Sequence, residues 1–129
     1  MSGVRIHLLD ARLWADERGW GVRPLEAASL AGVPLGDLHV VSLRPGKVRG
    51  DHHHDGTEWL LITEGIVEVR SRASEDEPVR TQTLEGEHPI LLEIPPGVRH
   101  AIRNAGERTI YLVAFSDRER LATTKAPLV

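Results

Sequence analysis

The stretch GKVRGDHHHDGTEWLLITEG, residues 46–65, carries the strongest fold signal in the 129-residue sequence. His52 and His54 are two residues apart, and on a β-strand this spacing directs both side chains to the same face. Glu58 shares their parity, although Asp55-Gly56 favours a break in the strand between them. The apolar run WLLI after Glu58 is typical of a buried strand. The stretch therefore predicts strands that carry clustered metal-ligand side chains.

A fourth candidate ligand, His100, lies downstream, just after a Pro96-Gly97 turn. Three neutral imidazoles and one carboxylate form a donor set that suits a divalent transition metal such as Zn, Fe, Mn, Ni or Co. Four protein ligands leave an open position only if the coordination number exceeds four. A catalytic metal needs such a position for water or substrate.

The two segments resemble the paired motifs of the cupin superfamily. Residues 46–65 have the first pattern, in which a glycine, two histidines, a glutamate and a second glycine are separated by five, one, three and six residues. Residues 95–104 have the second, in which proline, glycine, histidine and asparagine are separated by one, two and three residues. The resemblance covers about residues 38–115. It departs from the family at Pro89, where the second motif usually begins with glycine, and this position belongs to a turn.

This resemblance implies an all-β fold, the cupin-type double-stranded β-helix or jelly-roll barrel, with a short N-terminal extension. It also implies that His52, His54, Glu58 and His100 converge inside the barrel and bind one divalent transition metal. Some cupins have lost their metal, and the same side chains would then be polar residues at the barrel mouth. The histidines outside the motifs are interpreted as ordinary surface or structural residues: His7, His39 and His88.

Apolar runs recur at intervals of roughly eight to twelve residues, which favours a sandwich or a barrel. The runs predicted as strands are 39–43, 58–62, 66–70, 90–94 and 110–115. We expect a single domain over residues 1–129, with an N-terminal arm over about 1–37 and a barrel over about 38–116. The arm has a candidate short helix at 25–30, and residues 117–129 are expected to form a short helix or tail.

Composition excludes several classes of protein. The net charge of −3 provides no basic excess for binding nucleic acid. The absence of cysteine excludes disulfide scaffolds, thiolate metal sites and cysteine nucleophiles. The sequence has no apolar run of about 20 residues and no signal-peptide pattern. We therefore expect a cytoplasmic protein with a small-molecule substrate, and neither nucleic acid nor a membrane as partner.

Shorter resemblances concern the reaction. Residues 49–54, RGDHHH, are similar to the R-G-x-H-x-H stretch of nucleotide-sugar cupins such as the deoxyhexulose 3,4-ketoisomerases. Residues 94–104 look like the second motif of capsular-polysaccharide sugar enzymes, and residues 16–19 are similar to the D-x-R-G of sugar epimerases. The metal-free ketoisomerases lack a glutamate like Glu58, so a metal-bound version fits this chain better.

These resemblances imply an enzyme of carbohydrate metabolism, a keto-sugar isomerase or epimerase that acts on a carbohydrate or nucleotide-sugar. Two alternatives stay open. The same donor set fits a metal-dependent dioxygenase with iron or nickel, and a stand-alone cupin can also bind a small ligand without catalysis.

Three further residues are candidates for substrate binding: Arg49, Arg103 and Tyr111. Arginine suits bidentate binding of phosphate or carboxylate, and the single tyrosine could donate a proton. Strict alternation turns Arg49 away from His52, so a bulge at Gly50 would be needed to bring it inward. The catalytic base is not identified, because an imidazole nitrogen that binds a metal cannot also accept the substrate's proton.

We also expect a homodimer, because most small cupins pair through edge strands or an N-terminal arm. The three tryptophans, Trp14, Trp20 and Trp59, could anchor such an interface, since large aromatic side chains dominate interface cores. They could equally fill the barrel core or cover its end.

Overall fold

Two facing antiparallel sheets of five strands each build the fold in the computed structural model, which describes residues 3–9, 14–26, 30–86, 89–118 and 123–125. With strands numbered in chain order, the first sheet contains, from edge to edge, β1 (Arg5–Leu8), β9 (Ile90–Ile94), β6 (Glu58–Ile62), β11 (Ile110–Ser116) and β4 (Asp37–Leu43). The second contains β12 (Thr123–Lys125), β5 (Val48–His54), β10 (Arg99–Asn104), β7 (Gly65–Arg72) and β8 (Arg80–Gly86). The predicted all-β jelly-roll barrel is confirmed.

Aliphatic side chains from the inner faces of both sheets fill much of the space between them. Because successive strand residues point to opposite faces, alternate residues of each strand enter this core. Asn104 is one of the buried polar residues, and its side chain donates to the carbonyls of Leu43 and Arg108. The buried members of the cluster are Leu43, Leu60, Ile62, Val67, Val69, Ile90, Leu92, Ile94, Val98, Ile102, Ile110, Leu112 and Ala114.

Part of the outer face of the first sheet, centred on β6, is buried as well. Trp59, Leu61, Leu91 and Phe115 form a second apolar cluster on this face together with Leu30, which precedes β4 in the chain. This second layer explains why β6 is buried along its whole length, since a sheet covered on both faces lacks the alternation of a half-exposed strand. Trp59 therefore serves the core.

Trp14 and Trp20 are exposed. Trp20 lies in a small hairpin of β2 (Ala15–Asp16) and β3 (Gly19–Trp20), and a 3₁₀ turn follows at Pro24–Glu26. An interface role for these two tryptophans stays a prediction, as does the homodimer.

The five predicted strands all exist, and two of them, β6 and β9, have the predicted bounds. Pattern reasoning missed β8, whose sequence RTQTLEG has few apolar residues because half-exposed positions alternate with exposed ones. It also missed β10, whose sequence RHAIRN contains charged residues that face outward while the residues between them are buried.

Both chain ends differ from expectation. β1 pairs with β9, so part of the predicted arm extends the first sheet. In the predicted tail, Thr123–Lys125 form strand β12 against β5 and not a helix, because the backbone of β5 offers a free edge there. The candidate helix at 25–30 is replaced by the 3₁₀ turn as far as residue 26, and residues 27–29 lie outside the described residues. The division into arm, barrel and tail stays a prediction.

Among the described residues, no helix combines the length and the apolar character needed to cross a membrane.

Candidate metal centre and its cavity

A β-bulge in β5 sets the direction of the first histidines. Opposite β10, His52 pairs with His100 and Gly50 pairs with Ala101, so Asp51 is the extra residue. Gly50 and Asp51 have φ angles of 111° and 58°, in the region that favours glycine. A side chain at Gly50 would place its Cβ 2.6 Å from the carbonyl oxygen of His100. The bulge thus depends on glycine.

The bulge also reverses the facing of the residues before it. Arg49 pairs with Ile102, whose side chain points into the barrel, so Arg49 lies on the inner side of β5. The bulge that was needed to turn Arg49 inward is therefore present. The Nε of Arg49 donates to the carbonyl of Ser42 at 2.8 Å.

Three histidines converge on the inner face of the second sheet. The ring centroids of His52 and His54 are 4.5 Å apart, those of His52 and His100 are 4.8 Å apart, and those of His54 and His100 are 5.3 Å apart. Their candidate ligand nitrogens all lie within 4.8 Å of one another. His54 and His100 are buried and His52 is partly buried. The structure thus brings together the imidazoles of both motifs.

Glu58 reaches the histidines from the opposite sheet. β5 ends at His54 and β6 begins at Glu58, so the break suggested by Asp55-Gly56 is a crossover between sheets. The Oε1 of Glu58 lies 3.5 Å from the Nε2 of His54 and 3.6 Å from the Nε2 of His100. Glu58 therefore joins the cluster because it faces the histidines from the other sheet, and not because it shares strand parity with His52 and His54.

The cluster shifts the pKa values of two of its members. Burial would raise the pKa of Glu58, but the His100 and His54 imidazoles beside it favour its charged form and lower the pKa to about 2. Burial, together with repulsion from His100 and His54, lowers the pKa of His52 from 6.5 to about 4. An ionised carboxylate beside a neutral imidazole is the protonation pattern that a divalent cation requires.

The hydrogen bonds behind the cluster orient two of its imidazoles. The Nδ1 of His100 donates to the carbonyl of Val98 at 3.0 Å, which leaves its Nε2 unprotonated in the neutral ring. The Nδ1 of His54 is 3.0 Å from the hydroxyl of Thr123. The buried Nε2 of His54 has no hydrogen-bond partner among the described residues. Such outer partners are typical of metal-binding histidines.

The donor set fits one divalent transition metal. Two nitrogens bound at about 2.1 Å to one tetrahedral ion are about 3.4 Å apart, so nitrogens that lie within 4.8 Å of one another would approach by up to about 1.4 Å on binding. A lone pair with no donor facing a carboxylate is a costly arrangement in a buried site. A bound cation, or a proton, would remove this cost.

A cavity of about 680 Å³ opens onto the cluster. Arg49 lines it, whereas Arg103 and Tyr111 do not. Both lie on outward-facing positions of β10 and β11, and Tyr111 is 58% exposed. The structure therefore brings only Arg49 of the three substrate-binding candidates to the cavity.

Two lining residues, Asp37 and His39, escaped the sequence reasoning. Extending β4 backwards with the parity of Val41 and Leu43 would have placed them on its inner face. His39 was interpreted as an ordinary surface or structural residue; it is 51% exposed and also lines the cavity. Thr123 also lines the cavity, and no sequence signal indicated it. His88 lies outside the described residues.

The two facing sheets and the histidine–glutamate cluster between them define a cupin. The chain belongs to the polysaccharide biosynthesis C-terminal domain family, whose pattern matches residues 15–124.

Two curated proteins and one solved structure illustrate what this chain is similar to. It is 35% identical over 97 residues to protein SchB of Streptomyces halstedii, covering 74% of this chain and 64% of that protein. It is 27% identical over 109 residues to the UDP-2-acetamido-2,6-beta-L-arabino-hexul-4-ose reductase of Pseudomonas aeruginosa, covering 84% of this chain and 28% of the reductase. A dTDP sugar isomerase from Desulfovibrio desulfuricans has the same fold, with a TM-score of 0.71, 18% identity and coverage of 98% and 83%. The chain thus spans less than two thirds of the length of either curated relative.

Proposed function

We propose that this chain is a metal-dependent cupin enzyme that isomerises or epimerises a keto-sugar, either free or attached to a nucleotide. The observation that carries the proposal is the cluster of three histidines and Glu58 at the inner end of an open cavity, with the buried Nε2 of His54 lacking a partner in the described chain. The similarity to the dTDP sugar isomerase supports the substrate class.

Each part of the cavity contributes to such a reaction. His52, His54, His100 and Glu58 would hold the metal, which supplies a Lewis acid that polarises the substrate's carbonyl. Arg49 is the cavity's arginine among the described residues, and its guanidinium suits a phosphate or carboxylate of the substrate. Apolar side chains of the wall, such as Leu60 and Ile102, exclude water from the reacting carbon.

Metal content tests the first half of the proposal. Untagged protein is incubated with Zn, Fe, Mn, Ni or Co, desalted and measured by mass spectrometry. We expect about one equivalent of metal in the wild type, and its loss in His54→Ala and His100→Ala, because each variant removes one of four ligands. The matched control is His53→Ala, a neighbouring imidazole outside the cluster and the cavity lining, which keeps the metal. No metal under any of these conditions contradicts the proposal.

Hydrogen exchange tests the second half. The loaded protein is incubated in deuterated water with TDP-4-keto-6-deoxyglucose and, separately, with free keto-hexoses, and deuterium next to the carbonyl is followed by NMR. We expect exchange in one of these two arms, and the arm that reacts identifies the substrate class. Oxygen consumption without exchange would instead indicate a dioxygenase. A folded, metal-loaded protein that does neither would favour a ligand-binding role.

A further inference from the structure

A second histidine–carboxylate pair lines the cavity across from the metal centre. Asp37 and His39 are two residues apart on β4, and both line the cavity together with Val41 of the same strand. Because β4 is the edge strand of the first sheet, this pair lies at the rim of the cavity. Both side chains are partly exposed to solvent, at 36% for Asp37 and 51% for His39.

The hydrogen bond within the pair determines which nitrogen of His39 is basic. The Nδ1 of His39 lies 2.6 Å from the Oδ2 of Asp37. An ionised carboxylate only accepts hydrogen bonds, so the proton is on Nδ1 and the lone pair is on Nε2. Nε2 has no hydrogen-bond partner within the part of the chain that the structure describes. A carboxylate that orients an imidazole in this way is a recurrent arrangement for a general base.

The strand pairing in the first sheet gives the distance between this pair and the candidate metal centre. Ser116 of β11 pairs with Asp37 on one side and with Glu58 on the other. Since neighbouring strands are about 4.8 Å apart, the Cα atoms of Asp37 and Glu58 are about 10 Å apart. Ala114 lies in the same way between His39 and Leu60. The small side chains of Ser116 and Ala114 line the cavity and leave room for a molecule of sugar size.

We propose that His39 is the general base of the reaction and that Asp37 is its positioning residue. This inference rests on the proposed function. The nitrogens that would bind the metal cannot also accept the substrate's proton, whereas His39 lines the same cavity from the first sheet. The C–H bond next to the carbonyl breaks, an N–H bond forms at Nε2, and the electron pair forms the C=C bond of an enediolate. The hydroxyl proton passes from one enediolate oxygen to the other, and return of the proton from Nε2 to the former carbonyl carbon completes the isomerisation with no net oxidation or reduction.

The test compares two histidine–carboxylate pairs of this chain. The Nε2 of His7 lies 3.0 Å from Glu93 on the first sheet, but neither residue lines the cavity. Variants His39→Gln and His7→Gln therefore remove the same group from similar partners, one inside the cavity and one outside. Metal content and thermal unfolding of each variant confirm that it is folded and loaded.

Deuterium exchange is then measured with the probe that the wild type accepts, TDP-4-keto-6-deoxyglucose or a free keto-hexose. We expect His39→Gln to reduce kcat by about a hundredfold or more, the usual contribution of a general base, with metal content unchanged. Asp37→Asn is expected to reduce kcat more than it raises KM, because the pocket is kept and the tautomer is disturbed. His7→Gln keeps the wild-type rate.

A second readout needs no substrate. Nitrogen-15 NMR of the resting protein reports which ring nitrogen of His39 carries the proton, and we expect Nδ1 in the wild type and a change in Asp37→Asn. Wild-type exchange rates in His39→Gln, or a proton on Nε2 in the resting protein, overturn the inference and leave the proposed function intact. A loaded wild type that exchanges neither probe overturns the proposed function, and the base role fails with it.

Discussion

The two ends of the barrel interior are built from the same strands and differ in almost every side chain. Across the first sheet, one row of inward residues contains Asp37, Ser116 and Glu58, while a row two pleats away contains Val41, Leu112 and Ile62. The second sheet changes in the same direction, from His52 and His100 to Ile102 and Val69. The aliphatic end holds the sheets together, and this allows the other end to stay open and polar.

Asn104 belongs to the second cupin-like motif, yet it serves the aliphatic end. Its buried side chain donates to the carbonyls of Leu43 and Arg108 and accepts from the backbone N–H of Gly106. This network satisfies backbone groups of a turn that closes the barrel. Motif residues therefore divide between the two ends, some as candidate ligands and some as turn supports.

The largest effect is expected from emptying the aliphatic end. Ile62 is 2% exposed in the core, and Ile62→Ala should lower the free energy of unfolding by about 2–5 kcal/mol through lost burial and a cavity. Val40→Ala, on the exposed outer face of β4, should change it by less than about 0.5 kcal/mol. Urea unfolding gives both values. If the folded Ile62→Ala protein loses its metal, the two ends are not independent.

The bulge in β5 joins the two ends of the barrel interior. The role of its glycine, Gly50, can be tested by comparison with Gly46. Gly50→Ala introduces a Cβ against the backbone of His100, and should destabilise the protein by about 1–3 kcal/mol and weaken metal binding, because His52 and His100 are displaced. Gly46 has a φ of 77° but open space around its Cβ position, so Gly46→Ala should leave metal affinity unchanged. Isothermal calorimetry measures the affinity. Equal affinities of the two variants would refute a positioning role for the bulge.

A smaller effect is expected at the support of His54. Thr123→Val keeps the shape of the side chain but removes the hydroxyl beside the Nδ1 of His54, and should weaken metal binding about tenfold. Thr124→Val changes the neighbouring residue of β12, which pairs with His53, and serves as the control. Competition with a colorimetric chelator ranks the three proteins. Identical affinities would assign Thr123 a packing role only.

The smallest effect concerns pH. Because the pKa of His52 falls from 6.5 to about 4 on folding, the unfolded chain binds more protons between these values than the folded chain. Stability of the metal-free protein should therefore decrease as the pH is lowered from 7 to 5, and His52→Gln should flatten this slope. The pKa of Glu58 is also lowered, to about 2, so the stability that its charge contributes is lost at lower pH, from about 4.5 downward. Thermal unfolding at a series of pH values measures the slope, and an unchanged slope in His52→Gln contradicts the assignment.

Local patterns predicted much of the fold. Period-two alternation and apolar runs identified β6 and β9 to the residue, because buried strands select apolar side chains continuously. The same reasoning missed β8 and β10, where polar side chains face outward, and β12, whose three residues pair only because β5 offers an edge. Short strands stabilised by their neighbours leave little trace in their own sequence.

The sequence by itself determined the class of fold and, through the resemblance of its two motifs to those of cupins, the grouping of His52, His54, Glu58 and His100. The tertiary structure decided how they meet, with Glu58 facing the histidines from the other sheet across a crossover. It also turned Arg49 inward at the bulge, left Arg103 and Tyr111 outside, and placed Asp37 and His39 at the cavity rim. These outcomes depend on strand register and sheet pairing, which link residues far apart in the chain and so cannot be read from neighbouring residues.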